Sequence, residues 1–355
     1  MNIADAVTTA ARNAWALTFG SGVEAPDPTP STVLWDEPHR RLSRFEHRHG
    51  AAESDVAAAD SAVLLVPPLA APASCFDLRP DQSLAGFLLE TGRAPYVIDY
   101  GEITFADRRM GFEDWIDDIL PEAVLRTSAD RGGAPVDLVG WSLGGTLALL
   151  TAAAHPELPI RSITAVGSPL DYDKMAGIPQ LRAVARITGG IGTSTLVRAA
   201  GGVPAPLTRL AYKVTAWDRE LTRPWFVASN IARTETLARM ETIDRFMAEM
   251  PGYPGRFYGQ LWGRLILNND IGRGVVRLGA RRVELAQVSA RVLLVGGPSD
   301  VITAAAAVEA GVRTLTGAAS VRYETAPGSH LGILTGPDAR GTTWTYLDKF
   351  LAEST

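Results

Sequence analysis

The stretch Val136-Asp-Leu-Val-Gly-Trp-Ser-Leu-Gly-Gly-Thr-Leu-Ala-Leu-Leu150 passes from an apolar run, through tight glycines around a serine, into an Ala/Leu-rich segment. A serine that leaves a buried strand and opens a helix on so sharp a turn carries its hydroxyl above the sheet edge. That turn requires small residues two places before and two after it. Gly140 and Gly144 stand at those places around Ser142. The amides at the start of the following helix also favour a developing negative charge. By itself the Gly-x-Ser-x-Gly pattern is a weak signal, because glycine supplies 34 of the 355 residues and a strand-to-helix turn with a capping serine reads the same way. The weight comes from the partners that such a serine needs.

A serine hydroxyl is a poor nucleophile until a base takes its proton and a carboxylate orients that base. The chain has five histidines, which makes the search short. His39, His47 and His49 lie in a charge-dense segment before the sheet begins and are expected to face solvent. His155, beside Pro156, reads as a cation at the end of the helix that Ser142 opens. His330 differs: Ala326-Pro-Gly-Ser-His-Leu-Gly332 follows the last strand in a glycine-bearing loop, from which an imidazole can reach back over the sheet. For the acid, Gly296-Gly-Pro-Ser-Asp300 directly follows the preceding strand. One helix and one strand separate Asp300 from His330, so both belong on neighbouring loops at one sheet edge. Asp171 and Asp173, after an earlier strand, are rivals for the orienting role.

An oxyanion hole needs two backbone N–H groups aimed at the carbonyl oxygen as it turns negative. Leu143, next after the serine, is one candidate. The other belongs to Pro67-Pro-Leu-Ala-Ala-Pro72, where prolines cannot donate; Leu69 and Ala70 remain, with Ala70 preferred. Trp141 and Leu69 are the candidates for touching substrate.

The elements that must position these groups follow from hydrophobic patterning. Ala62–Val66, Ala94–Asp99, Val136–Val139, Arg161–Gly167, Arg291–Gly296 and Ser320–Glu324 read as strands, most of them short continuous apolar runs of the buried kind. Helical patterns separate them over Ser83–Glu90, Gly111 to about Arg126, Leu143–Ala154, Ala304–Leu315 and Thr342–Leu351. Strand and helix alternating at this pace predict an α/β fold with a mostly parallel sheet and helices on both faces. The alternation stops after residue 173 and resumes near 286. The expected organisation is therefore an N-terminal extension with leading strands (1–59), a core from 60–173 and 286–355, and an inserted α-rich cap over 174–285. Residues 1–31 end in a Pro-rich linker.

Composition narrows the class. The chain is 46% hydrophobic and 21% charged with a formal net charge of −5, which offers nucleic acid no electrostatic reason to bind. A single cysteine, Cys75, excludes an intrachain disulfide and suits a reducing compartment. The first residues lack the basic start of a secretory signal, and no apolar run approaches the ~20 residues of a membrane span, so a cytoplasmic location is expected. Scattered histidines and one cysteine give no metal cluster, and Gly-Trp-Ser-Leu-Gly-Gly lacks the lysine of a phosphate loop; no cofactor is called for.

Several segments together resemble the polyhydroxyalkanoate synthase branch of the α/β-hydrolase fold. VPPLAAPASCFDLRPDQSLAGFLLETGRAPYVIDYG is similar to the family's run from the oxyanion strand to the next strand. GWSLGG occupies the place of its modified lipase box, SPLDYD its entry into the cap, LGARRVELAQVSARVLLVGGPSD the approach to its aspartate, and GSHLGILTG its histidine loop. The resemblance covers about 31–350, and the order Ser142, Asp300, His330 is that of α/β-hydrolases. It implies an α/β-hydrolase core with an inserted α-rich cap, and acyl transfer from hydrophobic acyl or 3-hydroxyacyl groups. One departure matters: the family's nucleophile is a cysteine, whereas here the position holds Ser142, and Cys75 lies away from the elbow and reads as a small buried residue. A serine ester is a less activated acyl carrier than a thioester. The expected reaction is therefore hydrolysis or simple acyl transfer from oxygen esters, with a serine-using polymer synthase fed by 3-hydroxyacyl-CoA as the alternative.

The insert holds Trp217, Trp225, Phe226, Phe246, Tyr253, Phe257, Tyr258 and Trp262; the inner face of such a lid favours an apolar acyl chain, carried as an acyl ester or acyl-CoA. PGYPG (251–255) and the glycines at 189–192 and 201–202 offer hinges. A granule or lipid surface, a homodimer or a second subunit are the contacts left open for the insert and the Ala-rich N-terminus. A relative without catalysis that binds granules or a partner is the reading from another class.

Overall fold

The computed structural model describes residues 3–48, 61–187, 201–215 and 217–353. Its centre is one eight-stranded sheet in the order β1-β2-β4-β3-β5-β6-β11-β12, with β1 (Ser31–Glu37), β2 (Arg40–Phe45), β3 (Ala62–Val66), β4 (Ala94–Asp99), β5 (Val136–Trp141), β6 (Ile160–Val166), β11 (Arg291–Gly296) and β12 (Val321–Thr325). β1 pairs with β2, and β2 with β4, antiparallel; the pairings from β4 to β12 are parallel. The leading strands thus extend the parallel sheet at one edge.

The apolar runs sit centrally because both faces of a parallel sheet are covered. Along β3 the side chains alternate between two cores: Ala62, Leu64 and Val66 pack on one face with Trp115 and Leu147, and Val63 and Leu65 on the other with Phe76 and Trp344. This is the period of two that a strand imposes. The one charge in β5, Asp137, is fully buried and satisfied by the Arg161 guanidinium and the Ser162 hydroxyl (2.6 Å), as a buried charge must be.

Three helices matter to the site: α1 (Ile3–Phe19), α2 (Leu84–Glu90), whose N-cap Ser83 accepts from Gly86 N, and, past α3 (Leu120–Asp130), α4 (Leu143–Ala154). Between β6 and β11 the chain leaves the sheet for α5 (Ile178–Ile187), α6 (Ala205–Thr215), α7 (Trp217–Ser229), α8 (Thr234–Ala248) and α9 (Gly255–Gln260). Two short strands, β7 (Gly202–Val203) and β8 (Tyr253–Pro254), pair here, and a hairpin, β9 (Val275–Leu278) with β10 (Arg281–Glu284), closes the excursion.

One reading changes and one element is added. The hairpin lies where only helix or irregular chain was expected; its strands are four residues each, too short for a clear alternation. Ahead of the Pro-rich linker, where the sequence reading assigned no element, Ile3–Phe19 forms a helix fastened by Asn13, whose Nδ2 donates to Ile231 O (2.8 Å) and Thr234 Oγ1 (3.1 Å). Gly189, Gly190 and Gly192 and His49 lie outside the described residues. Among the described residues no helix is long and apolar enough to cross a membrane.

Candidate active site

The turn from β5 into α4 is strained at one residue. Ser142 has φ 53° and ψ −126°, a conformation that costs a β-carbon-bearing residue of order 1–3 kcal/mol and persists only where surroundings hold it. The surroundings do. Ser142 N donates to Val166 O of β6 (2.7 Å), and Ser142 O accepts from Gly145 N (3.1 Å). The glycines are explained by contact: a Cβ at Gly140 would meet Gly145 Cα at 2.4 Å, one at Gly144 would meet Val66 O at 2.1 Å, and one at Gly145 would meet Ser168 Oγ at 2.1 Å. The start of α4 is therefore pressed against the ends of β3 and β6.

That closeness sets the oxyanion candidates. Leu143 opens α4, where the first amides have no partner within the helix. Ala71 N donates to Pro68 O (3.1 Å), closing a turn whose central residues are Leu69 and Ala70 and whose bond leaves their two amides unused. Pro68 and Ala71 face the same cavity as Ser142. The Leu69 side chain, expected to touch substrate, is instead fully buried in the larger core and does not line the cavity; the turn points its apolar side chain down onto the sheet.

The three side chains singled out by the sequence are brought together. Ser142 Oγ donates to His330 Nε2 at 2.9 Å, and His330 Nδ1 donates to Asp300 Oδ2 at 2.6 Å. Asp300 Oδ1 in turn accepts from Ile302 N (2.8 Å) and Thr303 N (2.9 Å), so both carboxylate oxygens are occupied and its side chain is fully buried. The loop after β11 thus holds the acid, and the loop after β12 holds the imidazole. Asp171 and Asp173 are engaged elsewhere: both accept from Asn269 Nδ2 (2.8 Å each), tying the start of the excursion from the sheet to its later part.

Trp141 is largely buried and serves two surfaces. Its ring lines the cavity above Ser142 and lies 5.1 Å, centroid to centroid, from the His330 ring. Its Nε1 donates to the His330 carbonyl at 3.0 Å. The sequence placed this residue beside the serine; the hold on the histidine loop is a contact across 189 positions.

The cavity measures about 1,020 Å³. Besides Trp141 its apolar wall comes from Met240, Ile243, Phe246 and Met247 of α8 and from Ile302. Those α8 positions recur at helical spacing, a signal the sequence carried but which aromatic residues overshadowed. Of the expected aromatics, Phe226 and Phe246 reach the cavity, Phe257 stacks on Phe112 (4.2 Å) in the core, and Trp225 is exposed; the Trp217 side chain lies outside the described residues. Toward solvent the lining turns polar, with Arg223, Glu235, Arg239 and Asp244. Glu235 accepts from Arg79 (2.6 and 3.0 Å) and Arg239 (3.0 Å), and the Arg79 bond holds its carboxyl down at about 2. Arg79 also pairs with Glu24, and Arg239 with Asp81, so α8 is pinned to the core loop and the N-terminal segment.

The other histidines differ from expectation in one case. His39 does not face solvent freely: its ring nitrogens meet Tyr100 O (2.8 Å) and Asp107 Oδ1 (2.9 Å). His155 caps the end of α4 and pairs with Asp117 and Glu157. Cys75 is fully buried, which pushes its thiol well above the usual range. Among the described residues no group of three or more His, Cys, Asp or Glu side chains is arranged to hold a metal.

No family model matches the sequence. Among curated proteins the chain is similar to the poly(3-hydroxyalkanoate) polymerase subunit PhaC of Haloferax mediterranei, 22% identical over 92% of this chain and 64% of that one. It is similar also to the subunit of the same name from Allochromatium vinosum, 24% identical over 92% of this chain and 89% of that one. The chain thus spans just under two thirds of the first relative's length. Among solved structures it is similar to the protein described as non-heme bromoperoxidase BpoC of Mycobacterium tuberculosis, with TM-score 0.51, 14% identity, and 88% of this chain and 95% of that chain covered. Sheet order, elbow and these likenesses together make the chain a PhaC-like α/β-hydrolase.

Proposed function

We propose that the chain is a serine-dependent hydrolase or acyltransferase acting on hydrophobic acyl or 3-hydroxyacyl esters. The observation that carries this reading is the unbroken run Ser142 Oγ–His330–Asp300, at 2.9 and 2.6 Å, beneath an apolar wall. His330 Nε2 takes the hydroxyl proton as Oγ bonds to the substrate carbonyl carbon, while Asp300 holds the tautomer and balances the imidazolium. The amides of Leu143 and Ala70 receive the oxyanion. Collapse breaks the bond to the leaving alkoxide, which takes the proton from His330 and leaves the acyl group on Ser142. Water or an alcohol, deprotonated by the same imidazole, then releases it. Trp141 and the α8 row bind the acyl chain.

A second reading is favoured by the PhaC relatives, which share 22–24% identity over 92% of the chain: a polymer synthase that loads Ser142 from 3-hydroxyacyl-CoA. Fluorophosphonate labelling separates enzyme from non-catalytic relative. Stoichiometric labelling lost in Ser142→Ala supports catalysis at this residue, and no labelling of the wild-type protein refutes it. Release of free acid from p-nitrophenyl acyl esters supports the first reading, whereas polymer elongation from 3-hydroxybutyryl-CoA without ester turnover supports the second.

A further inference from the structure

Away from the Ser142 cavity, the end of the cap excursion forms a second concavity of about 460 Å³, and no residue lines both. Four arginines surround it: Arg264, Arg273 beside β9, Arg277 on β9 and Arg282 on β10. Such a concentration of positive charge is unexpected in a chain whose formal net charge is −5.

The local compensation is incomplete. Arg273 pairs with Asp270 (2.7 Å) and Arg282 with Glu284 (3.2 Å). Arg264 and Arg277 have no carboxylate partner among the described residues. The hairpin register sharpens the point, because Arg277 and Arg282 are directly opposed Cα partners and so project from the same face. Like charges set opposite each other destabilise a strand pair, and a hairpin with strands of four residues each has little pairing energy to spare. An anion lying between the two guanidiniums turns that repulsion into attraction. Arginine forks match phosphate oxygens two at a time, and the volume is that of a small-molecule site, more than a lone phosphate fills. The two unpaired guanidiniums call for a ligand of charge about two or more.

We propose that the Arg264–Arg273–Arg277–Arg282 concavity is a binding site for the diphosphate group of a small molecule, separate from the acyl cavity. The chemistry is shared by a nucleoside diphosphate and by inorganic pyrophosphate. The site does not depend on the reading of Ser142, so labelling of that serine reports independently.

The test is isothermal titration of the full chain with ADP, pyrophosphate, AMP and sulfate at low and at physiological salt, with melting temperatures in phosphate-free buffer. ADP or pyrophosphate is expected to bind at least tenfold more tightly than AMP and sulfate, with affinity falling as salt screens the charges. Tighter binding of ADP than of pyrophosphate assigns the site to a nucleoside diphosphate; equal or weaker binding assigns it to pyrophosphate. Arg264→Gln/Arg277→Thr is expected to weaken the tighter ligand at least tenfold while Ser142 labels at the wild-type rate. Arg277→Thr alone relieves the cross-strand repulsion and is expected to raise the melting temperature in phosphate-free buffer, yet to lose the ligand-induced rise seen in the wild-type chain. Binding no tighter than sulfate, affinity unchanged in the double variant, or a lower ligand-free melting temperature for Arg277→Thr would overturn the proposal.

Discussion

Gly144→Ala sets two effects of opposite sign against each other. Gly144 stands in the first turn of α4, where alanine is the better helix former by up to about 1 kcal/mol; local propensity alone predicts a gain in stability. The tertiary contact predicts a loss. A Cβ at this position would lie 2.1 Å from Val66 O and 2.8 Å from the Pro67 carbonyl, and these are backbone atoms with no rotamer to escape into. Reaching even the 3.0 Å below which real Cβ atoms are not found requires the start of α4 and the end of β3 to part by about 0.9 Å. Overpacking of this kind costs about 1–3 kcal/mol, enough to reverse the propensity gain. The separation also carries Ser142 off the 2.9 Å hydrogen bond to His330, and a misplacement of about 1 Å can cost roughly 10²-fold in rate. The assay is the second-order rate of fluorophosphonate labelling at Ser142 together with the melting temperature. Gly259→Ala serves as control, since a Cβ there meets nothing within 4 Å and that variant is expected to melt at or above the wild-type temperature. A Gly144→Ala protein that labels at the wild-type rate and melts no lower would refute the claim that this close approach sets the elbow.

Three further outcomes follow from the same geometry. Trp141→Phe keeps a ring in the cavity wall but strips the His330 carbonyl of its buried donor; a cost of about 1–3 kcal/mol is expected, read as a lower melting temperature and roughly tenfold slower labelling, and an unchanged rate would mean that the loop is held by other contacts. Burial pushes the Cys75 thiol up, so the folded protein is expected not to react with Ellman's reagent at pH 8 until urea is added, and fast reaction of the native chain would contradict the core assignment. Glu235, held at about 2 by Arg79 in the folded state against an ordinary 4.5, contributes stability that is fully present above about pH 4.5 and lost as pH falls through about 2. Its side chain is 60% exposed, which limits that contribution to about 1 kcal/mol or less after solvent screening. The melting-temperature gap between wild type and Glu235→Gln should close over that window, and a gap that is constant or widens toward acid shows that the carboxylate does not fasten α8.

The parts of the fold that were legible are those where burial and period coincide. β3 and β11 carry continuous apolar runs, and β5 one broken only by Asp137, because both of their faces are covered; α3 carries an apolar stripe, and α4 is buried on every side. The hairpin β9–β10 was not legible: Val275–Glu284 mixes Val, Leu and Arg over strands of four residues, and only packing against the neighbouring elements decides that it pairs. α1 was overlooked because its link to the body rests on Asn13 and on few apolar contacts. Within the site, the type and order of Ser142, Asp300 and His330 could be read directly, since each follows a strand at a loop rich in glycine. The exclusion of Leu69 from the cavity and the hold of Trp141 on the histidine loop could not, because both depend on which way a side chain points once distant segments meet.

The residues alone determined the chemistry available to this protein: a serine flanked by glycines, one histidine suitably placed after the last strand, one aspartate after the strand before it, and an apolar insert. Local rules suffice for that much, because strand period, helix period and turn composition are written in neighbouring positions. Only the tertiary structure decided that Ser142 takes up φ 53°, that Asp300 rather than Asp171 or Asp173 meets the imidazole, and that Met and Ile of α8 wall the cavity. Those outcomes are set by contacts between separate elements, from Asp300 with His330, 30 positions apart, to Ser142 with His330, 188 apart, where close packing rather than local preference selects the geometry.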